Sequence, residues 1–195
     1  MSCSICGFTY NCICSHQPSL TSHIEFALLY HENEQKKLTN TGKLITNSLP
    51  NARAYLWQRK ELPTALLEKI ARDDTETWLL FPSTENTLST EYANAKTSSK
   101  KQLFILLDAT WQEAKKMVNK SPWLQELPCL YLESVDTSSY HLRRNQSEGN
   151  LCTCEAGMEI LKMVKEPENA QALNLYYERF LTVFQAERSG HLYVE

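Results

Sequence analysis

The chain has 195 residues, 42% of them hydrophobic and 22% charged, with a formal net charge of −3. That size and balance describe one soluble globular domain with a small appendage. The acidic balance argues against a generic polyanion binder and leaves nucleic-acid contact only to a local cluster of lysines and arginines.

The chain opens Met1-Ser2-Cys3, with neither a basic n-region nor an apolar h-region, and no apolar run reaches membrane-spanning length. The expectation is a cytoplasmic protein with no membrane partner. Seven cysteines is an odd number, and four of them fall within the first fourteen residues. In a reducing compartment such crowding favours metal ligation over disulfides. Cys3-x-x-Cys6 places two thiolates on one side of a tight turn, with Gly7 just after it, and Cys12-x-Cys14 supplies two more. Four thiolates satisfy tetrahedral zinc with no open position, which makes a structural site. His16 is an alternative ligand, and a redox-active or disordered cysteine-rich tail is the competing reading.

Residues 24–30 are apolar and compact, as in a first buried strand. His31, Glu34 and Lys37 follow in a polar loop. Thr39-Asn40-Thr41-Gly42-Lys43-Leu44 then marks a helix N-terminus, whose amides and Lys43 would suit an anion, although on the pattern alone an ordinary capped turn is the better reading. Residues 52–57 read as a second strand and 63–72 as a helix with Pro63 in its first turn. A third strand covers 78–83. Residues 85–101 are polar and read as a loop with a short helix, with Lys96, Lys100 and Lys101 as a solvated basic run.

Residues 104–107 are a continuous apolar run, suited to a strand buried on both faces of a parallel sheet. Thr110 followed by Glu113 is a capping box, so a helix begins near Trp111, with Trp111, Ala114, Met117 and Val118 on one face. Asp108 therefore stands at the carboxyl end of a buried strand, just before a helix, which is the ligand-binding edge of open α/β sheets. On this pattern alone a turn residue and a catalytic residue are equal readings. A fifth strand is expected over 128–132, and two helices over 156–165 and 170–187, split by Pro167. Leu173, Tyr176, Tyr177, Phe180 and Val183 should line a core face of the last helix. Strands alternating with helices predict an α/β fold, a mostly parallel sheet with helices on both faces.

These stretches together resemble DTW-domain proteins. The signature there is Asp-Gly/Ala-Thr-Trp followed by an Ala-basic-Lys-Met helix, here Asp108-Ala109-Thr110-Trp111 and Ala114-Lys115-Lys116-Met117. The family similarly begins with C-x-x-C and C-x-C. It carries a His, a Glu and a Thr-Asn-Thr-Gly-basic-Leu string, here His31, Glu34 and Thr39 to Leu44. Leu80-Phe81-Pro82 and Leu142-Arg143-Arg144 have counterparts, as do Thr153, Glu155 and Ala156 of the family's Ser-Thr-x-Glu-Ala. Cys152 departs from that serine, and a thiol is a poor helix cap. The resemblance runs through nearly the whole chain, in the family's order.

Those proteins are tRNA-uridine aminocarboxypropyltransferases related to the knotted SPOUT methyltransferases. The resemblance implies a SPOUT-like fold with a C-terminal trefoil knot, a zinc knuckle over residues 1–22 and a catalytic domain over 23–195. It implies transfer of the 3-amino-3-carboxypropyl group of S-adenosylmethionine to N3 of a uridine in the tRNA variable loop, giving methylthioadenosine. Asp108 would take the N3 proton or orient the base. Leu80, Phe81, Pro82, Thr110 and Trp111 would enclose the adenosine, and Thr153 and Glu155 would hold the amino-acid end. Lys43, Lys115, Arg143 and Arg144 are the expected phosphate contacts. Zinc would sit on Cys3, Cys6, Cys12 and Cys14. An RNA methyltransferase on the same fold and a non-enzymatic zinc-containing RNA-binding protein are the rival readings.

Overall fold

A computed structural model describes residues 1–81, 99–130, 132 and 151–194. In chain order its elements are β1 (Glu25–His31), α1 (Gly42–Ser48), β2 (Ala52–Trp57), α2 (Thr64–Ile70), β3 (Thr75–Leu80), β4 (Lys101–Asp108), α3 (Trp111–Asn119), α4 (Pro122–Gln125), β5 (Cys129–Leu130), α5 (Thr153–Met163) and α6 (Pro167–Arg188). They fall into two compact units, each discontinuous in sequence. One holds Ser22–Lys36 and Asn51–Ser134, and the other Met1–Thr21, Lys37–Pro50 and Val135–Glu195.

The first unit is built on a parallel sheet in the order β2-β1-β4-β3-β5. Parallel strands buried on both faces read as unbroken apolar runs, and β4 does so: Leu103, Phe104, Ile105 and Leu106 are each at most 1% exposed. Ala27, Leu29, Leu79, Leu103 and Ile105 share one face with Leu66 of α2, Met117 and Val118 of α3 and Leu124 of α4. Truncating a buried leucine or isoleucine in such a layer to alanine costs about 2–5 kcal/mol. Phe26, Leu28, Trp78, Phe104 and Leu106, on the opposite face, are buried too. The register sets Asp108 opposite Tyr30, while β3 ends at Leu80 opposite Leu106. Asp108 and His31 are thus the last residues of two neighbouring central strands. The indole of Trp57, at the end of β2, donates to the Ser121 hydroxyl at 2.8 Å and anchors the start of α4.

The second unit is helical. The expected core face of α6 is present, with Leu173, Tyr176, Tyr177, Phe180 and Val183 at most 1% exposed. Pro167 does not separate two helices from outside, as the sequence pattern suggests. It occupies the first turn of α6, where its missing N–H costs nothing. The break lies at Lys165, whose φ of 67° ends α5 with Glu166 N–H donating back to the Leu161 carbonyl, a Schellman motif. α5 begins at Thr153, earlier than the expected 156. Among the described residues no helix is long and apolar enough to cross a membrane. Pro82, Lys96, Arg143 and Arg144 lie outside the described residues, as does most of the polar stretch 85–101.

Candidate functional site

At the carboxyl edge of the sheet, β4 delivers Asp108 into a turn that the following helix locks. Thr110 is the N-cap of α3: its hydroxyl accepts from Glu113 N–H at 3.3 Å, while the Glu113 carboxylate accepts from the Thr110 N–H at 2.9 Å. The capping box read from the sequence is therefore complete. Glu113 does more than cap. It also accepts from the Thr110 hydroxyl and the Asn33 amide, both at 2.7 Å, and lies 3.6 Å from His31 Nδ1. Burial pushes its carboxyl up, but Asn33, Thr110 and His31 outweigh that and hold it down at about 2. His31 stacks on Trp57 with ring centroids 5.5 Å apart, and Asn33 N–H donates to its Nδ1 at 3.4 Å. Asp108 itself is 5% exposed.

The apolar face read along α3 divides between core and surface. Ala114, Met117 and Val118 are buried, whereas Trp111, in the first turn, is 44% exposed. Its ring stacks on Phe81, centroids 5.4 Å apart, and the Lys115 ammonium lies 5.0 Å from its centroid. Phe81, Thr110, Trp111, Lys115 and Asp108 thus cluster around the ends of β3 and β4, with Leu80 closing β3.

Thr153 and Glu155 lie in the helical unit, in the first turn of α5. The Glu155 carboxylate accepts from the Cys152 N–H at 2.8 Å, and the Thr41 hydroxyl accepts from the Cys154 N–H at 3.3 Å. Cys152 points its thiol at the Tyr177 hydroxyl, 3.5 Å away, and burial followed by the Glu155 charge raises it to about 11. Cys154 is fully buried.

In the same unit the four N-terminal cysteines converge. Cys3 and Cys14 sulfurs are 3.6 Å apart, those of Cys6 and Cys12 3.8 Å, and all four lie within 4.8 Å of one another. Zinc–sulfur bonds of about 2.3 Å at tetrahedral angles require sulfurs about 3.8 Å apart, so the four side chains fit that ion. His16 is not in the group. The amides of Cys6 and Ile5 hold the Cys3 thiol down at about 6, while burial drives Cys6 up and Cys14 to about 12. Gly7, at φ 82°, supplies the left-handed turn after the first pair. Lys43 turns its ammonium inward: it donates to the Cys6 carbonyl at 2.8 Å and the Leu38 carbonyl at 3.2 Å. Burial pulls that ammonium below the ordinary lysine value, with Cys6 opposing.

Sequence reasoning missed three features. Asn33 reaches Glu113 across 80 positions, and no local pattern announces it. Glu34, expected in a polar loop, is fully buried in a short 3-10 turn. Glu187, read only as the end of the last helix, accepts from three consecutive N–H groups between the cysteine pairs.

A family model described as the DTW domain matches residues 1–185. The chain is 29% identical over 163 residues to tRNA-uridine aminocarboxypropyltransferase 2 of Drosophila melanogaster, covering 81% of this chain and 63% of that protein. It therefore spans less than two thirds of that relative's length. No solved structure matches. With the match extending over nearly its whole length, from the cysteine knuckle to the last helix, the chain belongs to the DTW domain family.

Proposed function

We propose that the protein is a tRNA-modifying enzyme that transfers the 3-amino-3-carboxypropyl group from S-adenosylmethionine to N3 of a uridine in the tRNA variable loop. The observation that carries this reading is the Asp108-Ala109-Thr110-Trp111 turn at the carboxyl end of the central strand, in a chain of the DTW family. The name of the Drosophila relative supports it. In the reaction a bond forms between uridine N3 and the methylene carbon, the carbon–sulfonium bond breaks, and methylthioadenosine leaves with the electron pair. The sulfonium supplies an activated carbon. The protein must supply position and a proton acceptor.

Asp108 takes the N3 proton or holds the base in line. Its placement at the end of β4, in a turn fixed by Glu113, suits a group that must not wander. Leu80, Phe81, Pro82, Thr110 and Trp111 face the adenosine, a role supported by the exposed Trp111 ring backed by Phe81. Thr153 and Glu155 hold the amino-acid end. Lys115, Arg143 and Arg144 contact tRNA phosphates, since the Lys43 ammonium is engaged with main-chain carbonyls. Cys3, Cys6, Cys12 and Cys14 hold a structural zinc, in a knuckle over residues 1–22 attached to a catalytic domain over 23–195. We extend the reading to a cytoplasmic protein and to kinship with the knotted SPOUT methyltransferases.

The test is incubation of purified protein with S-adenosylmethionine and unmodified tRNA, followed by mass analysis of nucleosides and by-product. Aminocarboxypropyluridine with methylthioadenosine is the expected result. S-adenosylhomocysteine with a methylated nucleoside would replace the reading by a methyltransferase, and binding without turnover by a non-enzymatic RNA-binding protein.

A further inference from the structure

The four-cysteine knuckle is shaped by charged residues that come from elsewhere in the chain. The loop between Cys6 and Cys12 turns its main chain onto one carboxylate. Thr9, Tyr10 and Asn11 N–H groups donate to Glu187 at 2.6, 2.9 and 2.8 Å, and the Asn11 amide adds a fourth bond at 3.3 Å. Glu187 is 6% exposed and sits in the last turn of α6. A carboxylate is unfavourable at that end of a helix, because the dipole there is negative. Its presence is offset by the three main-chain amides that converge on it. On the other side, Lys43 lies 5.4 and 5.6 Å from the ring centroids of Phe8 and Phe180, and its ammonium bonds the carbonyl of Cys6 itself.

The charges matter once a metal is bound. Four thiolates and one divalent cation carry a net charge of −2, in a region partly withdrawn from water. The half-buried Lys43 ammonium, held on the Cys6 carbonyl, offsets part of that charge.

We propose that Glu187 and Lys43 are positioning residues of the metal site: Glu187 holds the Thr9–Asn11 loop so that the two cysteine pairs face each other, and Lys43 offsets the charge of the metal–tetrathiolate. The knuckle is then not an autonomous finger. It holds its metal only when α6 is folded and docked on it. Glu187 lies beyond residue 185, where the family match ends, so this support is not part of the matched span. The inference rests on reading the cysteines as a metal site, and wild-type metal content tests that reading separately.

The experiment uses the full chain loaded with zinc, with release to a colorimetric chelator as the rate measured and the absorption of the cobalt-substituted protein as the geometry measured. Glu187→Gln and Lys43→Met keep size and packing while removing charge. Each should release zinc about 10–100-fold faster than wild type, the usual scale for groups that support metal ligands. Lys43→Arg should stay near wild type, because it keeps the charge and a donor. Lys162→Met, which removes an exposed ion pair on α5, is the surface control and should change nothing. Glu187→Gln should also broaden or shift the cobalt d–d bands, a change that a generally destabilised but locally intact knuckle would not show. Glu187→Asp, a shorter and milder change, should release zinc faster than wild type and repeats the test should Glu187→Gln not fold. Metal bound by wild type, with release within about twofold of it in Glu187→Gln, Glu187→Asp and Lys43→Met, would overturn the proposal. A wild type without metal would overturn the metal reading itself.

Discussion

Replacing Glu113 with glutamine probes the turn that carries Asp108. The Glu113 carboxylate gathers the Thr110 N–H, the Thr110 hydroxyl, the Asn33 amide and the neighbouring His31. These outweigh its burial and lower its carboxyl from 4.5 to about 2. A drop of that size is worth on the order of 3 kcal/mol if fully expressed. The side chain is 18% exposed, so solvent screening reduces the expectation to about 1–2 kcal/mol. The sign follows from the direction. A carboxyl lowered in the folded state contributes fully above its unfolded value, and the contribution is lost as pH falls from about 4.5 towards 2. Glutamine keeps an acceptor oxygen and the volume but not the charge. Urea unfolding at pH 7 should therefore show Glu113→Gln less stable than wild type by about 1–2 kcal/mol. The gap should narrow steadily in titrations below pH 4.5, the ordinary value for this group. Equal stability at pH 7, or a gap that stays constant down to pH 3, would refute the argument that the charge holds this turn.

Elemental analysis of protein purified without added metal should find one zinc per chain, and a Cys3→Ala/Cys6→Ala variant should lose it; equal zinc in both would remove the assignment. Asp108→Asn should fold, still bind S-adenosylmethionine and lose on the order of a hundredfold or more in transfer rate, with partial recovery at higher pH where free uridine ionises unaided. Near-normal turnover at neutral pH would take Asp108 out of the mechanism, whereas a loss confined to cofactor affinity would make it a positioning group. Neutralising Arg143 and Arg144 together should weaken tRNA binding and flatten its salt dependence, and an unchanged salt slope would count against them.

Local signals were legible, and long-range ones were not. The run from Phe104 to Leu107 announces a doubly buried strand because a central parallel strand has no polar face. Thr110 and Glu113 announce the helix start because the capping box is a four-residue device. The crowded cysteines announce a cluster with the spacing to hold a metal because ligand spacing is local, and their sulfurs do converge. Trp111 shares the apolar period of α3 with Ala114, Met117 and Val118 but is exposed where they are buried. At the first helical position the 3.6-residue period does not yet constrain a side chain, and the ring stacks on Phe81 instead. Lys43 was read as facing outward because a lysine beside a helix start usually does. What turns it inward is the carbonyl of Cys6, distant in sequence, and the rings of Phe8 and Phe180. Glu187 and Asn33 were invisible for the same reason: their partners lie 176 and 80 positions away.

The same device appears at both turns that the sequence marks as functional, but its two halves are not equal. Glu113 and Glu155 each stand three residues after an N-cap and accept from that residue's N–H, at 2.9 and 2.8 Å. At α3 the cap is a threonine whose hydroxyl returns the favour to the Glu113 N–H. At α5 the cap is Cys152, a weaker acceptor, with its thiol turned to Tyr177. The start of α5 is therefore shared between the Glu155 carboxylate and the Thr41 hydroxyl, which accepts from the Cys154 N–H, whereas Glu113 also serves Asn33 and His31. This constrains the proposed role of Glu155. One oxygen is already committed to the Cys152 N–H, so a ligand ammonium would have to be met by a carboxylate whose orientation the helix has fixed in advance. Fixed orientation is what a positioning site requires. It also means that removing Glu155 perturbs the helix start together with any ligand contact.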